Sequence, residues 1–169
     1  KRFRVLLSGR RFGKTFVALN ELAKFGQYSN KKIFYISPSY RQSKEIMWKP
    51  LKEKMLEHRW VAKINETQLT LYLRNGTQIS LKSGENFESM RGSGLSIVCF
   101  DESQDIKPEA WYEVIRPTLS DKYTMGSALF CGTPKGYGNW SYELYSKKDR
   151  DWESFKFTTI EGGQVTQEE

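Results

Sequence analysis

The sequence predicts an α/β domain in which a mostly parallel sheet is flanked by helices and extended by an antiparallel hairpin. Three observations favour this fold. Short, almost wholly apolar runs, typical of buried parallel strands, recur along the chain. Between them lie segments whose apolar residues are three or four positions apart, as in amphipathic helices. In the middle of the chain, two stretches of alternating polar and apolar residues flank Asn75-Gly76, which is a hairpin signal.

The first half of the chain contains two strands and two helical regions. Residues 4–7 form the first strand, and residues 14–25 form an amphipathic helix. Residues 32–37 are an almost continuous apolar run and form a buried parallel strand. A helix follows from about residue 40, and Pro50 either interrupts it or opens a second helix.

The second half adds the hairpin and completes the sheet. Its predicted elements are hairpin strands at residues 68–73 and 77–82, a buried strand at 95–100, a helix at 108–115, a buried strand at 127–131, a mobile loop at Gly136 and Gly138, a helix at 140–145, and an alternating edge strand at 152–159. Strands that alternate with helices in this way place the carboxyl ends of the parallel strands at one edge of the sheet.

Composition limits the class of protein. The chain has 169 residues, is 38% hydrophobic, and is large enough for one domain with a real core. No run approaches the 18 or so apolar residues that a membrane-spanning helix needs. Cys99 and Cys131 lie in apolar runs and are expected to be buried thiols in adjacent strands, as in a reducing compartment. With His58 as the only histidine, a zinc site is not expected.

The charge balance is strongly basic. Lysine and arginine number 27 against 20 aspartates and glutamates, for a net charge of +7. A basic surface favours polyanions such as nucleic acid, although a lysine-rich solvated face would give the same count. The aromatic residues are open to two interpretations as well, since they could stack on bases or form core. These residues are Trp111, Tyr112, Trp140, Tyr142 and Tyr145.

The strongest chemical signal is a glycine-bearing loop between the first strand and the first helix. Its residues are Ser8, Gly9, Arg10, Arg11, Phe12, Gly13, Lys14 and Thr15. Backbone N–H groups of such a loop bind phosphates, the lysine reaches the β- and γ-phosphates, and the threonine hydroxyl is a Mg²⁺ ligand. The usual pattern has glycine at the place of Ser8, and Gly9 comes one position late. The loop is therefore expected to turn slightly differently.

A second signal is Asp101-Glu102 at the end of the apolar run 97–100. An aspartate there would hold Mg²⁺, and the adjacent Glu102 would polarise the attacking water. A glutamate in this position favours hydrolysis over transfer of phosphate to a bound acceptor, which predicts an ATPase. The alternative is that both carboxylates only cap a strand and face solvent.

A third signal is Gly132-Thr133-Pro134 at the end of the next apolar run. A small hydroxyl residue beside the strand that ends in Asp101-Glu102 (the acidic strand) can sense the γ-phosphate and report its loss. The alternative is an ordinary exit from a strand into a turn, which glycine and proline favour.

In this order, the three segments resemble the ATPase domain of the large terminase subunit of tailed double-stranded DNA viruses. That family often has a non-glycine residue at the place of Ser8 and an arginine at the place of Arg10. Residues 36–42 and the Arg91-Gly92 pair upstream of the acidic strand are similar to family segments too. The resemblance covers residues 2–159 and implies a P-loop NTPase fold of the RecA-like (ASCE) class.

The resemblance implies a motor that uses ATP and Mg²⁺. Lys14, Thr15, Asp101 and Glu102 would form its hydrolysis core, with Thr15 and Asp101 on the metal and Thr133 in a coupling motif. Arg10 would touch the γ-phosphate within its own subunit. Arg91 would either reach a neighbour's active site or be a surface arginine.

The resemblance also implies partners. A homo-oligomeric ring would work on a portal protein, together with a small terminase subunit, and drive double-stranded DNA into a capsid in the host cytoplasm. Full large terminases continue into a nuclease domain. The ATPase domain is therefore assigned to residues 1–160 and the start of a linker to 161–169, and this segment should not cut DNA. A helicase-type translocase and a nucleotide-binding module without hydrolysis stay as alternatives.

Overall fold

The computed structural model describes residues 1–120 and 125–162, so residues 163–169 of the predicted linker lie outside the described residues. The strands within these ranges are β1 (Phe3–Ser8), β2 (Lys32–Ser37), β3 (Val61–Asn65), β4 (Thr70–Leu73), β5 (Gln78–Ser83), β6 (Ile97–Phe100), β7 (Ser127–Gly132) and β8 (Trp152–Phe157). The α-helices are α1 (Lys14–Gly26), α2 (Tyr40–Gln42), α3 (Lys49–Glu57), α4 (Arg116–Thr118) and α5 (Trp140–Tyr145). There are π-helical segments at Ser43–Trp48 and Ala110–Ile115, and 3₁₀ turns at Gly84–Met90, Ser103–Asp105 and Ile160–Gly162.

All eight of these strands belong to one sheet, in the order β3-β4-β5-β2-β6-β7-β1-β8. The six strands from β5 to β8 in this order run parallel to one another, and β4 is antiparallel to both of its neighbours. The predicted hairpin is β4 and β5, and its second strand also pairs in parallel with β2. The predicted α/β class, with a parallel centre and an antiparallel addition, is confirmed.

The one strand of the described residues that the sequence did not predict is β3. Its residues are half-buried or exposed, and its register with β4 shifts between Val61 and Lys63. The shift breaks the alternation of apolar and polar residues that identifies a strand in sequence. At the opposite edge, β8 is the predicted edge strand, and it ends at Phe157 rather than at Thr159.

The helical region around Pro50 is continuous. The π segment Ser43–Trp48 passes directly into α3, and the backbone of Trp48 and Lys49 stays in the right-handed helical region. Because Pro50 has no N–H to donate, the ordinary hydrogen-bond pattern gives way just before it, without a break in the helix. Pro50 therefore both alters the first helix and lies in the first turn of the second one.

The sheet separates two apolar cores. On one side, α1 and the helical run from α2 to α3 cover a core that includes Leu22, Tyr35 and Met47. Cys99 and Cys131 lie in this core on adjacent strands, as free and fully buried thiols, which confirms the prediction for them. None of the helices within residues 1–120 and 125–162 has the length and apolar character needed to cross a membrane.

The core on the other side of the sheet is centred on Trp111. Its ring lies edge-on to Phe3, Phe130 and Trp152, at centroid distances of 5.4, 4.8 and 6.3 Å. Trp111 has no exposed surface, and Trp140 in the same core is 7% exposed. These two tryptophans are therefore core residues and do not stack on bases.

Replacing Trp111 with alanine should lower the free energy of unfolding by about 3–5 kcal/mol, because the cavity would lie at the centre of packed aromatic rings. Urea denaturation followed by circular dichroism measures the change. Tyr137, which is 83% exposed, provides the control. Its replacement by alanine should change the free energy by less than about 0.5 kcal/mol. Equal effects at the two positions would contradict the assignment of Trp111 to the core.

The parallel strands bring the three sequence signals together. Ser8 ends β1, Asp101 follows β6, and Thr133 follows β7. These strands are neighbours in the order β6-β7-β1, so all three residues lie at the carboxyl edge of the sheet. In open parallel sheets, this edge is where ligands bind.

Candidate functional site

The turn from β1 into α1 surrounds an open cavity of about 280 Å³. Its lining residues are Arg10, Arg11, Phe12, Gly13, Lys14, Thr15 and Glu102. Gly13, which directly precedes α1, has a φ of +99°, a conformation that residues with a Cβ rarely adopt. The backbone thus turns so that the start of α1 faces the cavity. A helix N-terminus of this kind attracts anions, because its first N–H groups have no partners within the helix.

Packing explains why the glycine of the loop comes one position late, at Gly9. A Cβ on Gly9 would lie 1.9 Å from Oγ1 of Thr159 and 2.8 Å from its backbone nitrogen. The Gly9 N–H also donates to the carbonyl of Phe157, at 3.3 Å. Glycine is needed at this position because the segment that follows β8 crosses against the loop. Ser8 is fully buried as the last residue of β1, where it needs no glycine conformation.

Lys14 lies along the inside of the loop. Its ammonium donates to the carbonyls of Ser8 and Gly9, at 3.2 and 3.0 Å, and the residue is only 7% exposed. No carboxylate of the described residues lies within ion-pair distance of it. Within residues 1–120 and 125–162, the positive charge at the base of the cavity therefore has no direct ion-pair partner, and the nearest acidic influence on it is that of Asp101. A phosphate in the loop would meet this charge together with the N–H groups of α1.

Asp101 is 3% exposed and faces the loop from the end of β6. One of its oxygens, Oδ2, lies 3.4 Å from the Thr15 hydroxyl and accepts a hydrogen bond from the Tyr35 hydroxyl at 2.6 Å. The other, Oδ1, accepts from the Glu102 N–H at 3.0 Å. Burial raises the pKa of the Asp101 carboxyl, while the hydrogen bond from Tyr35 opposes the rise. Burial, together with the nearby Asp101 charge, also raises the pKa of Tyr35, which therefore stays a donor.

The oxygens of Thr15 and Asp101 fit a magnesium ion. Mg²⁺ prefers hard oxygen ligands, and it commonly uses one or two protein oxygens beside the phosphates of a nucleotide. A hydroxyl and a carboxylate 3.4 Å apart, at the mouth of a phosphate-binding loop, provide such a pair.

Glu102 lines the loop cavity, and its backbone is in an unusual conformation. Its φ is +48° and its ψ is +46°, the left-handed region that costs a residue with a Cβ of the order of 1 kcal/mol or more. This turn directs Asp101 and Glu102 to different places. The aspartate points between β2 and α1, and the glutamate faces the loop cavity.

The sequence did not identify Gln104, which connects the acidic turn (residues 101–105, directly after β6) to the end of β7. Its amide nitrogen donates to the carboxylates of Glu102 and Asp105, and its amide oxygen accepts from the Thr133 N–H at 3.0 Å. Thr133 thus lies beside the acidic turn without lining the loop cavity. A polar residue within the turn after an acidic strand is the only sequence signal that marks Gln104.

The two candidate arginines lie in different places. Arg10 lines the loop cavity. Arg91 forms an ion pair with Glu88, donates to the carbonyl of Glu113 at 3.2 Å, and lines a separate cleft beside Gly92. The structure therefore groups Arg10 with the phosphate loop and holds Arg91 away from it.

Tyr35→Phe should weaken the binding of Mg²⁺ by about 10-fold, in the range typical for groups that orient metal ligands. Without the Tyr35 hydrogen bond, the pKa of Asp101 rises further and its carboxylate loses its orientation. The Mg²⁺ concentration that gives half-maximal nucleotide binding measures the effect. Tyr72, a half-buried tyrosine on β4, provides the matched control as Tyr72→Phe. Unchanged Mg²⁺ dependence of the Tyr35 variant would contradict the role.

Comparison with known proteins places these features in a family. Residues 5–169 match the family model described as terminase large subunit, T4-like virus type, N-terminal. Curated relatives are the large terminase subunits of Thermus phage G20c and Thermus virus P23-45, each 42% identical over 64 residues. Those 64 residues are 38% of this chain and 13% of either relative. The matched stretch is therefore a small part of the relatives' length.

Solved structures agree with the fold. The ATPase domain of the Thermus phage P74-26 large terminase superposes with a TM-score of 0.80 and 26% identity, over 96% of this chain and 78% of that one. The large terminase of another thermophilic bacteriophage, determined in complex with ADP, gives a TM-score of 0.81 over 99% of this chain and 43% of that one. At 16% identity, this second likeness concerns the fold alone.

Proposed function

The chain belongs to the family of large terminase subunits, T4-like virus type, as its N-terminal part, and on this premise we propose that it is the ATP-hydrolysing motor domain of a viral DNA-packaging terminase. One observation carries the proposal. A phosphate loop that includes Lys14 and Thr15 shares one cavity with the carboxylate of Glu102, and the Thr15 hydroxyl lies 3.4 Å from a second carboxylate, that of Asp101. These are the groups that hydrolysis of a nucleoside triphosphate requires.

Each group has a distinct task in hydrolysis. The N–H groups at the start of α1 and the Lys14 ammonium hold the β- and γ-phosphates. Thr15 and Asp101 would hold Mg²⁺, which supplies neutralising charge on the phosphates when bound. Glu102 orients a water molecule toward the γ-phosphate and accepts its proton. Its position in the same cavity as the loop, and not merely at a strand end, favours this role over that of a strand cap.

Three further residues complete the proposed site. Arg10 contacts the γ-phosphate from within the same subunit, since it lines the loop cavity. Thr133 reports the state of the γ-phosphate, and its amide is connected to Glu102 through one side chain. Arg91 acts on the site of a neighbouring subunit in a ring, because its own contacts hold it in a different cleft.

The proposed partners follow from the family and from charge. The substrate moved by the motor would be double-stranded DNA, and a net charge of +7 suits a polyanion. The working form would be a homo-oligomeric ring docked on the portal protein of a procapsid in the host cytoplasm, with a small terminase subunit.

Phosphate release in the presence of ATP and Mg²⁺, with and without duplex DNA, tests the proposal. We expect hydrolysis that increases when duplex DNA is added and binding to purified portal assemblies. Nucleotide binding without any phosphate release would overturn hydrolysis. Hydrolysis stimulated by single-stranded nucleic acid, without portal binding, would instead indicate a helicase-type translocase.

A further inference from the structure

We propose that Gln104 is a positioning residue that couples the Glu102 carboxylate to the loop of residues 133–139. The inference rests on the proposed function, because it assumes that Glu102 acts on water during hydrolysis. It adds one residue, Gln104, to the proposed site. Its side-chain amide sets both the direction of the Glu102 carboxylate and the position of the end of β7.

The orientation of the Gln104 amide is fixed by its partners. Carboxylates only accept hydrogen bonds when ionised, so Glu102 and Asp105 require the NH₂ group. The Thr133 N–H only donates, so it requires the amide oxygen, at 3.0 Å. A flipped amide would lose all three bonds. Gln104 is 9% exposed, so water does not readily replace them.

Packing also holds this side chain against the end of β7. A Cβ on Gly132 would lie 2.8 Å from Oε1 of Gln104 and 2.9 Å from the Ser103 hydroxyl. Glycine at 132 therefore allows the acidic turn to approach the strand. Gly132, which one of the two interpretations of the sequence took as part of an ordinary strand exit, leaves the space for this contact.

Two further contacts fasten the same loop to the acidic turn. Lys135 forms an ion pair with Asp105, and the Asn139 side chain donates to the Gln104 carbonyl at 3.0 Å. Asn139 also caps α5, since its Oδ1 accepts from the Ser141 N–H at 3.0 Å. The loop is thus attached to the turn at its beginning, near its middle and at its end, and α5 begins at the last attachment.

This arrangement makes the two ends of Gln104 interdependent. When the Glu102 carboxylate moves toward a bound water, the amide nitrogen loses or shifts one of its acceptors. The amide oxygen moves with it, because both atoms belong to one rigid planar group. The Thr133 N–H then has to follow or lose its partner inside the protein. A change at the site of hydrolysis is therefore passed to residues 133–139 and to α5.

Two substitutions separate the halves of the amide. Gln104→Met keeps the length of the side chain and removes both hydrogen-bonding functions. Gln104→Glu keeps an oxygen that can accept from Thr133 and removes the donor to Glu102. Gln78, exposed on β5, provides the control as Gln78→Met. Steady-state kinetics and amide hydrogen exchange of residues 133–145 are measured without nucleotide, with ADP and with ATP-γ-S.

We expect Gln104→Met to lower kcat by about 100-fold, with a KM for ATP within about 2-fold of the wild type, since a displaced catalytic group costs rate more than binding. Exchange of the Thr133 amide should be faster than in the wild type, and the difference between the ADP and ATP-γ-S forms should disappear. Gln104→Glu should lower kcat similarly and retain the protection of Thr133. The Gln78 variant should match the wild type in all measurements.

A Gln104→Met variant that keeps its kcat within about 3-fold and its nucleotide-dependent exchange would overturn the inference. If that variant does not fold, loss of Thr133 protection in Gln104→Glu would overturn it instead. Exchange of Thr133 in the nucleotide-free chain needs no hydrolysis. A wild type that fails to hydrolyse ATP would therefore disprove the proposed function separately from the Gln104–Thr133 contact.

Discussion

Glu102→Gln should leave ATP binding close to that of the wild type and lower the rate of hydrolysis by about 10²–10⁴-fold. The amide has the size of the carboxylate but cannot accept a proton from the attacking water. Its phosphate-binding neighbours, Lys14 and the start of α1, keep their positions, because the ammonium is held by the carbonyls of Ser8 and Gly9 and not by Glu102.

Single-turnover hydrolysis and equilibrium binding of a fluorescent ATP analogue, measured on the same preparation, separate the two effects. Glu109, an exposed carboxylate a few residues beyond the acidic turn, provides the control. Glu109→Gln should alter neither measurement. A Glu102→Gln variant that hydrolyses ATP at the wild-type rate would show that another group activates the water.

The sequence was sufficient for most of the fold, because the signals it uses are local. Buried parallel strands such as β2 and β6 are continuous apolar runs, and each is followed by a helix or a polar turn. The edge strand β3 carries no such signal, since half-exposed residues and a shift of register remove its alternation. Its place is determined by pairing with β4, which is a tertiary contact.

The residues of the candidate site also fall into those that local sequence signals predict and those that depend on tertiary contacts. Lys14, Thr15 and Asp101 stand in motifs with fixed spacing, so their meeting at one sheet edge could be predicted. Tyr35 and Gln104 act through hydrogen bonds between elements that are far apart in the sequence. A tyrosine within an apolar strand looks like any core aromatic, and the register of β2 against β6 alone places its hydroxyl on Asp101.

The two arginines show where motif resemblance ends and geometry adds information. Resemblance implies that Arg10 contacts the γ-phosphate within its own subunit, and it leaves Arg91 either at a neighbour's active site or on the surface. The structure separates them, because Arg10 lines the loop cavity and Arg91 lines a cleft beside Glu113. In a ring with head-to-tail contacts, a residue that is remote from its own site is available to a neighbour's site.

Arg91→Ala should therefore lower hydrolysis by about 10³–10⁵-fold, the usual contribution of an arginine supplied to a phosphoryl-transfer site. On the proposal that this arginine acts on a neighbour's site, the specific activity of the wild-type chain should also rise with protein concentration as rings assemble. Arg74, an exposed arginine that likewise donates to a backbone carbonyl, provides the control. Arg74→Ala should leave the activity and its concentration dependence unchanged.

Mixing two inactive variants distinguishes action between subunits from action within one. An Arg91→Ala subunit retains Glu102, and a Glu102→Gln subunit retains Arg91, so a site between them has both groups. In equimolar rings of random order, about a quarter of the sites combine an intact Glu102 with a neighbour's intact Arg91. We expect a corresponding partial recovery of phosphate release when the variants are mixed at ring-forming concentrations. Mixed rings with no more activity than either variant alone would mean that Arg91 does not complete a neighbouring site, and Arg91 would then be a surface arginine held by Glu88 and Glu113.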